Sequence, residues 1–201
     1  MSPPRVSIAG ERGSYAEDAA IRLLGDAIVL VSRASFAEAL AAVQAGAADH
    51  AVIPVENSIV GAVRAAADLV GASGLAVMDE VTIAIRHHLI VCPGATLDSL
   101  RSVESHPVAL AQCGRFLAAH PTLRRIPGGD TGGCVRRVVN SGDPSRSAIG
   151  SLRAAHVHGG VVLCGRLEDS ADNRTRFVLL AVGSAAPRIS MKPHAQSADT
   201  P

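Results

Sequence analysis

Aromatic residues are scarce in this sequence. Tyr15, Phe36, Phe116 and Phe177 are the full set, and tryptophan is absent. The core must therefore be built from Ala, Val, Leu and Ile, and a base-stacking platform for single-stranded nucleic acid lacks its rings. Lysine is scarcer still: Lys192, near the C-terminus, stands alone. That excludes a P-loop lysine and a Schiff-base lysine from the body of the chain. Fixed positive charge in any site must come from arginine, histidine or helix N-termini. A net charge of +1 over 201 residues provides no basic surface, so neither nucleic acid nor a membrane is expected as a partner. Cys92, Cys113, Cys134 and Cys164 are far apart, with no CxxC pair. Zinc-ligand spacing is missing, no metal is expected, and buried free thiols suit a reducing compartment. No apolar run approaches the length of a membrane helix, and "MSPPRVSIAGERG" has no apolar signal region, which reads as a cytoplasmic protein.

Short apolar runs alternating with helical periodicity are what the sequence does have. "RVSIA" (5–9) reads as a strand and "YAEDAAIRLL" (15–24) as a helix. "AIVLV" (27–31) is a second strand, followed by a helix over 35–46 with Ser35 as cap, Glu38 completing a capping box and Gly46 as terminator. "AVIPV" (51–55) is a strand, 56–61 a loop, 62–70 a helix, and 75–92 a long β-rich stretch holding His87 and His88. The two histidines are read as ordinary hydrogen-bonded or exposed residues. The alternation then resumes: a strand near 101–105, a helix over 107–119, strand 123–127, a helix over 131–140, strand 147–151 with a helix behind it, and strand 160–165. Strands and helices alternating at these intervals predict parallel-sheet α/β units. The expected organisation is two α/β lobes, 1–84 with 167–183 and 85–166. The tail over 184–201, rich in Ala, Pro and Ser, is expected to be disordered.

In an open α/β sheet, ligands bind beyond the carboxyl ends of the strands, and four loops fall there. "GERGSY" (10–15) is either a plain turn or an anion-binding helix start; it lacks full GxGxxG spacing. "ENS" (56–58) directly after an apolar strand is either a helix cap or a polar wall. In "ESHPVALAQC", Ser105 or His106 caps a helix, and Gln112 falls among apolar residues, where it needs partners from backbone or ligand. In "GGDTGGC", Asp130 or Thr131 caps a helix with two glycines in its first turn, each costing roughly 1 kcal/mol. Close approach of a ligand is one explanation for them. The last motif, "NRTRF" (173–177), sets Thr175 between two arginines before an apolar strand. Such a threonine either caps a loop or donates a proton near an anion.

Taken together and in order, "GERGSYAEDAA", "PVENSIVGAV", "HHLIV", "SHPVALAQC", "DTGGCVRRV", "SAIGS" and "NRTRFVLLA" resemble the prephenate dehydratase family over about residues 5–182. The resemblance implies a type II periplasmic-binding-protein-like fold, two α/β lobes with a ligand cleft between them. It implies decarboxylating dehydration of prephenate to phenylpyruvate, in phenylalanine biosynthesis, with no cofactor and commonly as a homo-oligomer. By motif it carries over Thr175 as the catalytic residue, with Asn57, Ser58, Ser105, Gln112, Thr131, Arg176 and Phe177 in the cleft and Glu56 there or bracing the loop. In a regular strand Thr175 and Arg176 point to opposite faces, so they share a site only if the strand begins at or after them; Arg174 is the alternative inward cation. Three features depart from the family's pattern: the first loop is "AGERGSY" where many members have a Gly-Pro and a Thr-Phe pair, "DTGGC" has glycine where alanine is usual, and most bacterial members continue into a phenylalanine-binding ACT domain, which is not expected here. Arogenate dehydration, decarboxylation without aromatisation, and pure ligand binding are the rival readings.

Overall fold

The structure is a computed structural model that describes residues 2–183; the expected disorder of 184–201 lies outside the described residues. The chain builds two mixed sheets. The first takes β1 (Arg5–Ala9), β2 (Val29–Arg33), β3 (His50–Asn57), the short β4 (Gly61–Ala62), β5 (Ala76–Ala84) and the final strand β11 (Arg174–Ala181). Its order is β2-β1-β3-β11-β5, with β4 pairing β3. The second takes β6 (His88–Val91), β7 (Ser102–Ser105), β8 (Arg124–Pro127), β9 (Arg146–Gly150) and β10 (Val161–Gly165), in the order β10-β6-β9-β7-β8. The polypeptide therefore crosses between sheets twice, at residues 85–87 and 166–173.

The sheets are not all parallel. β1 runs parallel to β2 and β3, and β7 to β8 and β9, as βα alternation requires. β11 is antiparallel to both β3 and β5, and β6 to both β9 and β10. These are the strands next to a crossing, where no helix turns the chain back. The β-rich stretch over 75–92 is correspondingly two strands in two sheets, β5 and β6, parted at 85–87.

Helices cover both faces of each sheet. On the first, α1 (Tyr15–Leu24) packs one side with Val6, Ile8, Ile83 and Phe177. α2 (Phe36–Gln44) and α3 (Arg64–Ala72) pack the other with Ile53, Val178 and Leu180. On the second sheet, α4 (Pro107–Gln112) and α5 (Gly114–Ala119) lie opposite α6 (Thr131–Ser141) and α7 (Leu152–His158). Fully buried Ile8, Ile53, Leu89, Ile149 and Leu180 each contribute about 1.5–3 kcal/mol of burial. No helix of the described residues is long and apolar enough to cross a membrane.

Serine caps start several helices. Ser14, Ser35 and Ser151 accept from the backbone N–H three residues on, in α1, α2 and α7. Glu38 reaches back to the N–H of Ala34 rather than that of Ser35, so the expected capping box is shifted by one residue. His106 caps α4 by accepting from Val108 N–H, and Asp130 caps α6 by accepting from Gly133 N–H. The expected helix over 107–119 is two helices, broken at Cys113 (φ −113°, ψ 32°).

The lobes meet through the loop after β1. Glu11 pairs with Arg136 of α6, Asp18 with Arg153 of α7, and Ser151 Oγ donates to Gly13 carbonyl at 2.6 Å. This contact explains the glycines in the first turn of α6. A Cβ on Gly132 would sit 2.5 Å from Arg12 carbonyl oxygen, and one on Gly133 would sit 2.8 Å from Asp130 Oδ2. The close approach is by the protein's own loop and cap, not by a ligand.

Candidate functional site

β3 and β11 are neighbours in register, with Thr175 opposite Asn57. Side chains at paired positions lie on one face of a sheet. Both are buried, and Asn57 Nδ2 donates to Thr175 Oγ1 at 2.9 Å. The orientation of the Asn57 amide follows from backbone. Its Oδ1 accepts from the N–H groups of Ile59 (3.0 Å) and Val60 (3.1 Å), an Asx-type arrangement that shapes the β3–β4 turn. The NH2 end is then forced toward Thr175 Oγ1, Asn173 Oδ1 (2.9 Å) and Arg174 carbonyl (3.0 Å). Two hydrogens meet three acceptors. Thr175 Oγ1 is thus an acceptor here, and no protein group among the described residues accepts its own hydrogen.

The network continues into the second lobe. Asn173 Nδ2 donates to Gln112 Oε1 at 2.8 Å, and Gln112 Nε2 reaches Asn57 Oδ1 at 3.5 Å. His87 Nε2 lies 3.1 Å from Gln112 Oε1, and His87 Nδ1 lies 3.2 Å from Tyr15 Oη. Tyr15 Oη also donates to Arg86 carbonyl at 2.7 Å. Glu168, on the second crossing, accepts from His87 N–H at 2.9 Å and pairs with Arg86 at 3.5 Å. Gln112 finds the partners that its apolar setting demands, and they are side chains from both crossings. Burial pushes the Tyr15 hydroxyl well above its usual range and the His87 imidazole below its own; the Gln112 contact opposes the latter. Burial likewise raises the nearby Cys113 thiol to about 12, so it stays protonated.

Not every expected residue joins this cluster. Ser58 borders it, clamping the turn to the second crossing: its Oγ donates to Asp172 carbonyl at 2.7 Å and accepts from Arg174 N–H at 2.9 Å. Ser105 is fully buried inside the second lobe, its hydroxyl donated to Ile149 carbonyl at 2.7 Å. Thr131 is half-buried at the start of α6, after the Asp130 cap. Phe177 is buried in the α1-side core with Val6 and Ile8. Arg176 is on the other face. β11 is in continuous register with β5 from Arg174 to Leu179, so Arg174 and Arg176 point away from Thr175, and Arg176 pairs with Glu56 and Glu80, each at 3.1 Å. Glu56 neighbours Asn57 on β3 and follows the same alternation. Neither Arg176 nor Glu56 is brought to the Thr175 cluster. Conversely, Asn173, His87 and Tyr15 belong to it without having been singled out. Asn173 opens the "NRTRF" motif, and the paired histidines of "HHLIV" were the available signal for His87. Cavities of about 380 and 480 Å³ lie elsewhere, lined by Leu97, His120 and Leu123, and by Arg124, Asp143 and Arg146; neither includes a residue of the cluster.

Fold and cluster define a two-lobed α/β protein with a buried amide–hydroxyl network where the chain passes between lobes. Comparison with known proteins gives the family. The prephenate dehydratase family model matches residues 6–185, and the chain belongs to that family. A chloroplastic protein of Arabidopsis thaliana named arogenate dehydratase/prephenate dehydratase 1 is 34% identical over 187 residues, 93% of this chain and 47% of the relative. The chain thus spans about half the length of the curated relatives it matches. Among solved structures, prephenate dehydratase from Arthrobacter aurescens in complex with L-Phe superposes with a TM-score of 0.81 at 29% identity, covering 91% of this chain and 62% of that one. GqqA, described as a novel type of quorum quenching acylase, superposes at 0.79 with 30% identity, covering 90% and 65%.

Proposed function

We propose that the chain catalyses the decarboxylating dehydration of prephenate to phenylpyruvate, with Thr175 as proton donor. One observation carries this reading: Asn57 Nδ2 occupies an acceptor site on Thr175 Oγ1 and leaves the hydroxyl hydrogen to be given away. In the reaction, the ring carboxylate leaves as carbon dioxide. Its bonding electron pair moves through the ring and expels the hydroxyl at the opposite carbon. Hydroxide is a poor leaving group, so a proton supplied as the C–O bond breaks lowers the barrier, typically by about 10² to 10⁴-fold in rate. Thr175 gives that proton and regains one from solvent, and the ring becomes aromatic. An alcohol is a weak acid, and the Asn57 dipole helps by stabilising charge that develops on Oγ1. Gln112 and Asn173 hold Asn57 and complete a preorganised wall.

The same geometry disfavours an acylase mechanism. A nucleophilic threonine needs a base that accepts its proton, and the group bonded to Oγ1 is a donor. Arogenate, which carries an ammonium where prephenate has a keto group, is the rival substrate; that group lies on the side chain at the ring carbon opposite the leaving hydroxyl, away from Thr175, so the two substrates are compared directly. The test is kinetic. Purified protein is given prephenate and arogenate separately, with phenylpyruvate followed by absorbance in alkali and phenylalanine by chromatography. Higher kcat/KM with prephenate is expected. Preference for arogenate would move the assignment to arogenate dehydratase, and turnover of neither by folded protein would sink the reading.

A further inference from the structure

His87 sits where the chain first leaves the lobe of α1, buried, with its ring bridging that helix and α4 of the other lobe. Which ring nitrogen carries hydrogen can be worked out from the backbone inward. The N–H groups of Ile59 and Val60 fix Asn57 Oδ1, so Asn57 Nδ2 must face Asn173 Oδ1. Asn173 Nδ2 then faces Gln112, which must present Oε1 to it. That same Oε1 lies 3.1 Å from His87 Nε2. Two bare lone pairs cannot share that distance, so Nε2 bears a hydrogen. On the other side, Tyr15 Oη can donate to Nδ1 in the neutral ring, or accept from it in the charged ring while donating to Arg86 carbonyl. Nε2–H is present in either state, and only the neutral Nδ1–H tautomer is forbidden.

We propose that His87 is a positioning residue for the reaction, whose Nε2–H locks the Gln112 amide with its carbonyl toward Asn173 and its NH2 toward Asn57. The inference rests on the reading of Thr175 as proton donor. Loss of the His87 donor leaves Gln112 Oε1 held by Asn173 alone, and the amide is free to rotate about its last torsion. A rotated amide would set NH2 against the Asn173 NH2 and disturb Asn57, the group that holds Thr175. The groups that face the His87 ring or its backbone are Tyr15 from α1, Gln112 from α4, Glu168 and Arg86 from the crossings, and His88 next in sequence. Burial lowers the ring's pKa and so favours the neutral Nε2–H form, in which Tyr15 Oη turns its one hydrogen from Arg86 carbonyl to Nδ1; the Nε2–H toward Gln112 is the same in both states.

Two isosteres separate positioning from bulk. In His87→Gln the new amide nitrogen falls near the Nε2 position; in His87→Asn it falls near Nδ1, keeping reach to Tyr15 but not to Gln112. Asparagine is expected to lower kcat by about 10- to 100-fold with KM little changed, the scale of a misplaced reacting group, and glutamine to recover most of that loss. In a Gln112→Ala background, His87→Asn should add nothing further. Equal impairment by both isosteres, no impairment by either, or additive losses in the double variant would overturn the proposal. A second arm needs no substrate: nitrogen-15 NMR of the His87 ring in wild-type protein should show a protonated Nε2 at neutral pH. A ring protonated at Nδ1 alone would overturn it whatever the activity. Failure of wild-type protein to turn over either substrate would instead sink the functional reading, with the NMR arm still deciding the orientation of Gln112.

Discussion

Replacing Thr175 by valine separates catalysis from stability in a way the hydrogen-bond inventory makes quantitative. Valine keeps the branched shape and turns the hydroxyl into a methyl group. Asn57 Nδ2 has two hydrogens and three acceptors, at 2.9, 3.0 and 2.9 Å. Removing Oγ1 leaves Asn173 Oδ1 and Arg174 carbonyl, enough to satisfy both hydrogens. No buried donor is orphaned, so the folding cost is that of one satisfied hydrogen bond, about 1 kcal/mol. The added buried methyl offsets about 0.8 kcal/mol of it. Stability should therefore stay within about 1 kcal/mol of wild type. Activity loses the whole proton-donation effect of about 10² to 10⁴-fold, equivalent to about 2.7–5.5 kcal/mol of barrier. Thr175→Ser, which retains the hydroxyl, should keep activity within about tenfold. Phenylpyruvate formation from prephenate and urea unfolding on the same preparations give both quantities. A valine variant within tenfold of wild-type kcat would refute proton donation by Thr175, and a valine variant several kcal/mol less stable would refute the hydrogen-bond count.

Other substitutions probe the frame around that pair. Asn57→Asp puts a carboxylate oxygen against Asn173 Oδ1 and Arg174 carbonyl, while the free Thr175 hydroxyl hydrogen can turn to meet it. It should cost about 1–3 kcal/mol for each acceptor left facing another. Because a protonated carboxyl could donate again, its folded-state pKa is raised. Its stability deficit should then shrink as pH falls from 7 toward 5 in chemical denaturation; a deficit independent of pH would contradict the assigned amide orientation. Gly13→Ala meets two obstacles, a backbone φ of +83° and a Cβ 2.5 Å from Ala154 Cα. The left-handed conformation alone costs about 1–2 kcal/mol, so urea unfolding should show at least that loss, and an unchanged midpoint would refute the lobe contact. His87, His88 and His106 all have imidazoles lowered by burial. Below about pH 6.5 the unfolded chain binds protons that the folded chain refuses, so stability should fall from pH 7 to 5.5; a flat or rising Tm would contradict that sign.

Local signals reached far into this fold. Serine or aspartate ahead of a periodic run marked the starts of α2 and α6, because the capping interaction spans only three residues. Strand direction was not legible, since βα alternation speaks for parallel neighbours and says nothing about β6 and β11 beside a crossing. The break of the helix over 107–119 at Cys113 did leave a mark, Gly114 directly after it, but a single glycine inside a helical period is also tolerated at roughly 1 kcal/mol and so did not decide the matter. The glycines of α6 were visible, but their cause is a loop over one hundred residues away in sequence. For the site, strand alternation warned correctly that Thr175 and Arg176 part company, and the regular start of β11 at Arg174 realises that separation. Asn173 and His87 were hidden because a hydrogen-bonded chain from Tyr15 to Thr175 draws on α1, α4, β3, β11 and both crossings, and no spacing records it.

The position of β11 has a consequence for how the protein is made on the ribosome. β3 and β5 emerge early, but each needs β11 between them, and residues 174–181 are synthesised after every strand of the second sheet. The second sheet is contiguous from β6 to β10 and can close as soon as it has emerged. Until then the nascent first sheet holds an open slot, with the backbone edge of β3 and apolar Val52 and Ile53 unsealed. Chaperones that recognise strand edges would find their binding site there. Its lifetime is set by the time taken to translate residues 85–181, roughly 5–20 s at about 5–20 residues per second. The first strand translated thus belongs to the last sheet completed, and Thr175 meets Asn57 only in that closing step.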